Sequence, residues 1–228
     1  MAKKINNKQM LLKDKVYLTL KERVLSGFYK SGSQLNPTLL SNELVTSITP
    51  IREALGLLQK DGLVDAIPRY GYYVSQLSVK DLQDIFEMRM ILESYAIEKV
   101  AKTITHEQCN FLEEITLNVN PSNFESYEDY LKGNREFHRH IAQITENNWL
   151  TNNITNLLDR IQRVIYLCLD ASDTAATAAE EHGELLMALR AKDSQAASMM
   201  MKKHITNTYE ALLNGLIRTE SLTKQLMI

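Results

Sequence analysis

Apolar side chains recur every three to four positions along most of this chain, and the stretches that break the rhythm divide it in two. Over residues 13–26, Val16, Leu20 and Val24 fall on one face, and Ser26-Gly27 closes the helix they predict. Residues 29–33 read as a loop. Residues 38–44 form a short helix with Leu39, Leu40 and Leu44 as its apolar positions, and 45–48 make a tight connection. Thr49 then stands where an N-cap is expected, with Pro50 at the first helical position, where a missing N–H costs nothing. The helix that follows buries Ile51, Ala54, Leu55 and Leu58 and stops at Asp61-Gly62. There the period shortens to two: residues 63–67 and 72–77 read as strands joined by Pro68-Arg69-Tyr70-Gly71. Beyond residue 78 the pattern is helical throughout, with helices expected over 79–102, 106–118, 124–146, 148–170, 175–191 and 193–221. The fold expected is mainly α: an N-terminal winged helix-turn-helix followed by an all-helical antiparallel bundle. The domains expected are a polar, lysine-rich disordered tail over 1–8, the winged domain over 9–76, and the bundle over 77–228.

Charge sharpens that division. The chain of 228 residues has a net charge of −2, but residues 1–76 hold 11 Lys and Arg against 6 Asp and Glu, while the remainder holds 15 against 22. A basic N-terminal third on an acidic remainder suits nucleic acid on one side only. The outer face of the helix after Thr49 carries Thr49, Arg52, Gly56 and Gln59. Arg52 lies in the first turn, where a cation opposes the helix dipole by about 0.3–1 kcal/mol. A helix that only had to fold would prefer an acid there, whereas an outward arginine suits a guanine edge or a phosphate in a major groove. No apolar run approaches membrane-spanning length and no signal-peptide pattern stands out, which implies a soluble, cytoplasmic protein. Cys109 and Cys168 have no metal or redox spacing and read as reduced thiols.

The bundle is of interest where polar groups interrupt apolar stripes. Arg89 falls among Leu82, Ile85, Leu92 and Ala96. Asn134 and His138, four apart, share a face with Ile141. His182 shares one with Leu185, Leu186 and Leu189, and His204 lies between Met200 and Ala211. A single histidine in such a place is most simply a hydrogen-bonded core residue. Three on three helices also allow a metal site, because neutral imidazole suits zinc and similar ions and bundles build such sites from facing helices. Asn134 then offers a fourth, neutral oxygen. A buried Arg89 needs an anion, either a core carboxylate such as Glu93 or the carboxylate of a bound ligand. His106 and His140 lack this context and read as surface residues.

Several motifs in one order resemble the GntR transcription regulators of the FadR type, with an FCD effector-binding domain. They are Thr49-Pro50-Ile51-Arg52-Glu53-Ala54-Leu55, Asp61-Gly62-Leu63-Val64, and the wing Arg69-Tyr70-Gly71-Tyr72-Tyr73-Val74. Further on come Phe86-Glu87-Met88-Arg89 with Leu92-Glu93, then Phe137-His138, Glu181-His182 and Lys203-His204. The resemblance covers the chain from about Lys13 onward. It implies a homodimer whose winged domains read a double-stranded pseudo-palindromic operator, and a bundle that encloses a small-molecule effector. It also implies a divalent metal (Zn, Ni or Mn), held by Asn134, His138, His182 and His204, and an effector carboxylate met by Arg89. DNA contacts are implied at Ser47, Thr49, Arg52, Arg69 and Gly71. Three positions depart from the family pattern. Asn134 replaces a ligating Asp, Ile48 stands where a base-reading arginine is common, and Thr38 where another is frequent. Together they imply a metal site with less charge and a greater dependence on Arg52.

The function expected is a ligand-responsive DNA-binding regulator, a repressor relieved by a small organic acid. No nucleophile–base pair, phosphate loop or paired acid/base spacing points to catalysis. The rival from another class is a metal-dependent helical-bundle enzyme with an accessory winged domain. A third reading is a winged module used for protein contacts.

Overall fold

The computed structural model describes residues 11–118, 127–168 and 171–226. The tail expected over 1–8 and the start expected at 124 for one helix lie outside the described residues. The chain divides into two compact units, Met1–Gln76 and Leu77–Ile228.

In the first unit, α1 (Leu12–Leu25) presents Val16, Leu20, Val24 and Leu25 to the core. α2 (Pro37–Glu43) is capped by Asn36, whose side chain accepts from the amides of Thr38 and Leu39 and so satisfies two of the helix's orphan donors. Leu40 is buried, but Leu39, expected to be apolar core, is 67 % exposed because a seven-residue helix shows only one narrow face inward. α3 (Ile48–Lys60) buries Ile51, Ala54, Leu55 and Leu58 as expected. Its start differs: Ser47 takes the N-cap backbone, so Thr49 is not the cap and Pro50 sits third. Pro is still tolerated there, since the first-turn amides lack intrahelical acceptors.

The wing is a three-stranded antiparallel sheet in the order β1–β3–β2, from β1 (Gln34–Leu35), β2 (Val64–Ile67) and β3 (Gly71–Val74). Gln34 pairs with Tyr73, and Val64 with Val74. β1 falls just past the expected loop, and two residues are too few to show a period. β3 ends at Val74 rather than at 77, where Ser75 turns its amide to the Leu63 carbonyl.

The second unit consists of α4 (Val79–Thr103), α5 (His106–Asn118), α6 (Tyr127–Ile144), α7 (Asn148–Cys168), α8 (Ala171–Arg190) and α9 (Ser194–Leu226). α4 begins with a capping box, Ser78 and Asp81 exchanging side-chain and backbone bonds. It packs along α9 and also touches α6, α7 and α8, so one side of α4 becomes the middle of the bundle. That side carries Leu82, Ile85, Phe86, Ala96 and Ile97, and with them the buried, charged Arg89 and Glu93.

Candidate metal centre and nucleic-acid interface

The short α2, the turn and α3 leave the first turn of α3 open. Ser47, Thr49 and Arg52 are exposed there, and Ser47 spends no side-chain hydrogen bond on capping. At the wing tip Tyr70 donates its amide to the Ile67 carbonyl, and the chain passes through positive φ at Arg69 (71°) and Gly71 (109°). Gly71 at that angle is a position that side chains rarely tolerate. Arg69 is exposed, and neither it nor Arg52 forms an ion pair among the described residues. Ile48 is 37 % exposed at the head of α3, a largely apolar contact where the family pattern has a cation.

In the bundle, α6, α8 and α9 bring His138, His182 and His204 together. All three are buried, and one ring nitrogen from each lies within 4.8 Å of the other two. Each ring is held differently. Glu93 from α4 sets Oε2 2.6 Å from His138 Nδ1, and Glu181 from α8 sets Oε2 2.6 Å from His204 Nδ1. The His182 ring stacks on Phe137 with centroids 4.0 Å apart, and neither of its nitrogens has a hydrogen-bond partner. The Nε2 atoms of His138 and His204 face each other at 3.2 Å. Glu181 accepts from His204 Nδ1, so His204 Nε2 presents a lone pair toward His138, whose Nδ1 lies close to Glu93 without meeting hydrogen-bond geometry.

Asn134, one turn before His138 on α6, has a buried Oδ1 without a partner, the second orphaned acceptor beside the imidazoles. Orphaned buried acceptors are rare enough to require a cause. Three nitrogens and an amide oxygen on facing helices suit a divalent ion of the zinc, nickel or manganese kind.

Burial also tunes the centre. It pushes His138 down to about 4 despite the opposing Glu93, and His182 well below the ordinary histidine range, so both imidazoles are neutral, as a ligand must be. Burial alone would raise Glu93, but the charge of Arg89 and then His138 outweigh it and hold the carboxyl at about 2. Arg89 donates Nε to Glu93 Oε1 at 2.6 Å and a terminal nitrogen to Oε2 at 3.4 Å, which gives this buried arginine an internal anion.

A cavity of about 180 Å³ opens beside His204 and Asn134, walled by Tyr130, Ile165, Ala178 and Ala211, with Glu181, Asn207 and Thr208 as polar groups. A smaller hollow shares Asn134, Ile165, His204 and Thr208 and reaches Arg89 and Arg135, the latter paired with Asp159 at 3.1 Å. Of the expected site residues of the bundle, Asn134 and His204 line both cavities and Arg89 lines the smaller one, while His138 and His182 lie behind His204 without lining either. Glu181 stands in the Glu181-His182 motif but, like Asn207, has no role legible from sequence: the partner of each lies on another helix, a relation that spacing along one helix does not carry. His140, expected at the surface, is half-buried against Phe111.

Residues 12–74 match the bacterial regulatory proteins of the gntR family, and residues 84–207 match the FCD domain. The HTH-type transcriptional regulator YdhC of Bacillus subtilis is 30% identical over 202 residues, covering 86% of this chain and 88% of its own. The HTH-type transcriptional repressor RspR of Escherichia coli is 24% identical over 201 residues, covering 86% and 87%. Among solved structures, McbR/YncC of E. coli superposes with a TM-score of 0.80 at 23% identity, over 90% of this chain and 98% of that one, a likeness of fold.

Proposed function

We propose, because the chain belongs to the gntR family of bacterial regulatory proteins and carries an FCD domain, that it is a repressor released from its operator by a small organic acid. Membership makes it a DNA-binding transcription regulator with an effector-binding domain; the rival reading as a bundle enzyme finds no support among its relatives. Repression is suggested by relatives that are transcriptional repressors, RspR among them. No described helix is long and apolar enough to cross a membrane, which agrees with action on DNA in the cytoplasm.

On the DNA side, Thr49, Arg52 and Ser47 at the head of α3 enter the major groove as a homodimer, and Arg69 beside Gly71 reaches the backbone from the wing. On the effector side, His138, His182, His204 and Asn134 hold a divalent metal, which when bound supplies a positive centre for the carboxylate of the effector. Arg89, at the edge of the adjoining hollow, completes the anion's surroundings. Effector binding shifts the population between dimers that fit the operator and dimers that do not, by as much as the ligand's affinity differs between them.

The observation that carries the metal reading is the facing pair of imidazole nitrogens, with orphaned Asn134 and His182 beside it. It is tested by calorimetric titration of zinc, nickel and manganese into chelator-stripped protein; heat at one site per chain is expected, and no uptake of any of them overturns it. Selection of duplexes from a randomised pool, with dyad-symmetric sites expected, tests the DNA side.

A further inference from the structure

Glu93 and Glu181 have no place among the metal-holding residues above, yet each grips one of them. We propose that both are positioning residues of the metal centre: each sets a carboxylate oxygen against an imidazole Nδ1 so that the Nε2 atoms converge, and Glu181 supplies the negative charge that Asn134 does not bring. This rests on the metal reading and adds to it. Each contact sets a carboxylate oxygen 2.6 Å from Nδ1, from α4 and α8 respectively; that of Glu181 is a hydrogen bond, and that of Glu93 is a close ion-pair contact outside hydrogen-bond geometry. Carboxylates placed behind ligating imidazoles fix the tautomer and raise the basicity of the coordinating nitrogen.

Each glutamate is itself held. Glu93 gives its other oxygen to Arg89 Nε, and Glu181 accepts from Asn207 Nδ2 at 2.5 Å through Oε1. Neither carboxylate is free to swing inward and become a ligand without breaking that second bond. His182 needs no such support, because stacking on Phe137 sets its plane and leaves both nitrogens open. With one anion neutralised by Arg89 and the other by half of a divalent charge, the loaded centre stays net positive. That residual charge is what an incoming carboxylate effector would meet.

Glu181 is the better residue to test, since removing Glu93 strands the buried Arg89. Full-length wild type, Glu181→Gln, Glu181→Gln/Asn134→Asp and the paired Arg89→Met/Glu93→Gln are stripped and titrated with zinc alone. Glu181→Gln should bind zinc about 10–100-fold more weakly with an unchanged apo melting temperature. Adding Asn134→Asp should recover much of that loss, which a merely structural role for Glu181 would not allow. The paired variant should weaken zinc binding similarly. In zinc-loaded wild type, nitrogen NMR of the rings should find the protons of His138 and His204 on Nδ1. Zinc held by Glu181→Gln as tightly as by wild type, or His204 bound through Nδ1, overturns the proposal while leaving the metal site standing. If wild type takes up no zinc, the metal reading falls first and this one with it.

Discussion

At the scale of single residues, the bundle keeps neutral what would be charged in water. An unfolded histidine titrates near 6.5, but burial holds folded His138 at about 4 and His182 well below its usual range. Between those limits the unfolded chain binds more protons than the folded one, so stability rises with pH. The contribution is fully present above about 6.5 and is lost as the pH falls toward 4, by about 1.4 kcal/mol per pH unit for each such imidazole. Glu93, held at about 2, extends the loss to lower pH, its stabilisation being present above 4.5 and lost as the pH falls toward 2. Thermal melts of metal-stripped protein between pH 7 and pH 5 should show this loss, and His182→Phe should make it shallower. Equal slopes in the two proteins would mean that His182 is already charged when folded. Asn134→Asp separates the metal from the packing account. Beside an ion, an anionic oxygen should tighten metal binding by about 1.5–3 kcal/mol, the worth of a charge-assisted contact. Without an ion it would only add a buried charge and lower the melting temperature.

At the scale of elements, the turn between α2 and α3 holds unused stability. Val45 adopts φ 50° and is 91 % exposed, so a β-branched side chain sits in the left-handed region with no packing in return. That conformation costs an L-residue about 1–2 kcal/mol, and glycine's added chain entropy takes back about 0.5–1 kcal/mol. Val45→Gly should therefore raise the unfolding free energy by up to about 1.5 kcal/mol in denaturant titration; a clear destabilisation would show that the turn relaxes differently. In the next element, Arg52→Ala should cost about 1–3 kcal/mol of specific binding if Arg52 reads a base. Competition against non-cognate duplex measures it, and operator binding at wild-type strength would remove α3 as the reader.

The elements were legible in the sequence to different degrees. All six bundle helices follow from apolar periodicity, because each is long enough to repeat its face several times; the ends at 103 and 144 move by one or two residues. β1 has no repeat to show, and the position of the α3 cap depends on the backbone of Ser47 rather than on which residue best resembles a cap. Of the candidate centre, three histidines and Asn134 could be placed on inward faces, since that is a property of one helix. The convergence of the three histidines, and the contacts from Glu93 and Glu181, are relations between helices and needed the fold.

At the scale of the whole molecule, one winged unit buries too little surface to specify a site, which is why two copies are expected on a dyad, with half-sites about 34–36 Å apart. Light scattering should find twice the 26.1 kDa chain mass at micromolar concentration. Salt dependence counts the copies independently, on the DNA itself. Each phosphate neutralised on a duplex adds about 0.9 to the slope of log affinity against log salt. Arg69 is exposed at the wing tip and has no internal anion among the described residues, so it is available to pair with a phosphate. Arg69→Ala then removes one such contact per copy. A bound dimer should lose about 1.8 from its slope, whereas a bound monomer should lose about 0.9. The same variant should weaken all duplexes by a similar factor, because phosphates carry no sequence information. An unchanged slope would take the wing off the DNA, and a loss near 0.9 would leave only one wing in contact, against the symmetric arrangement.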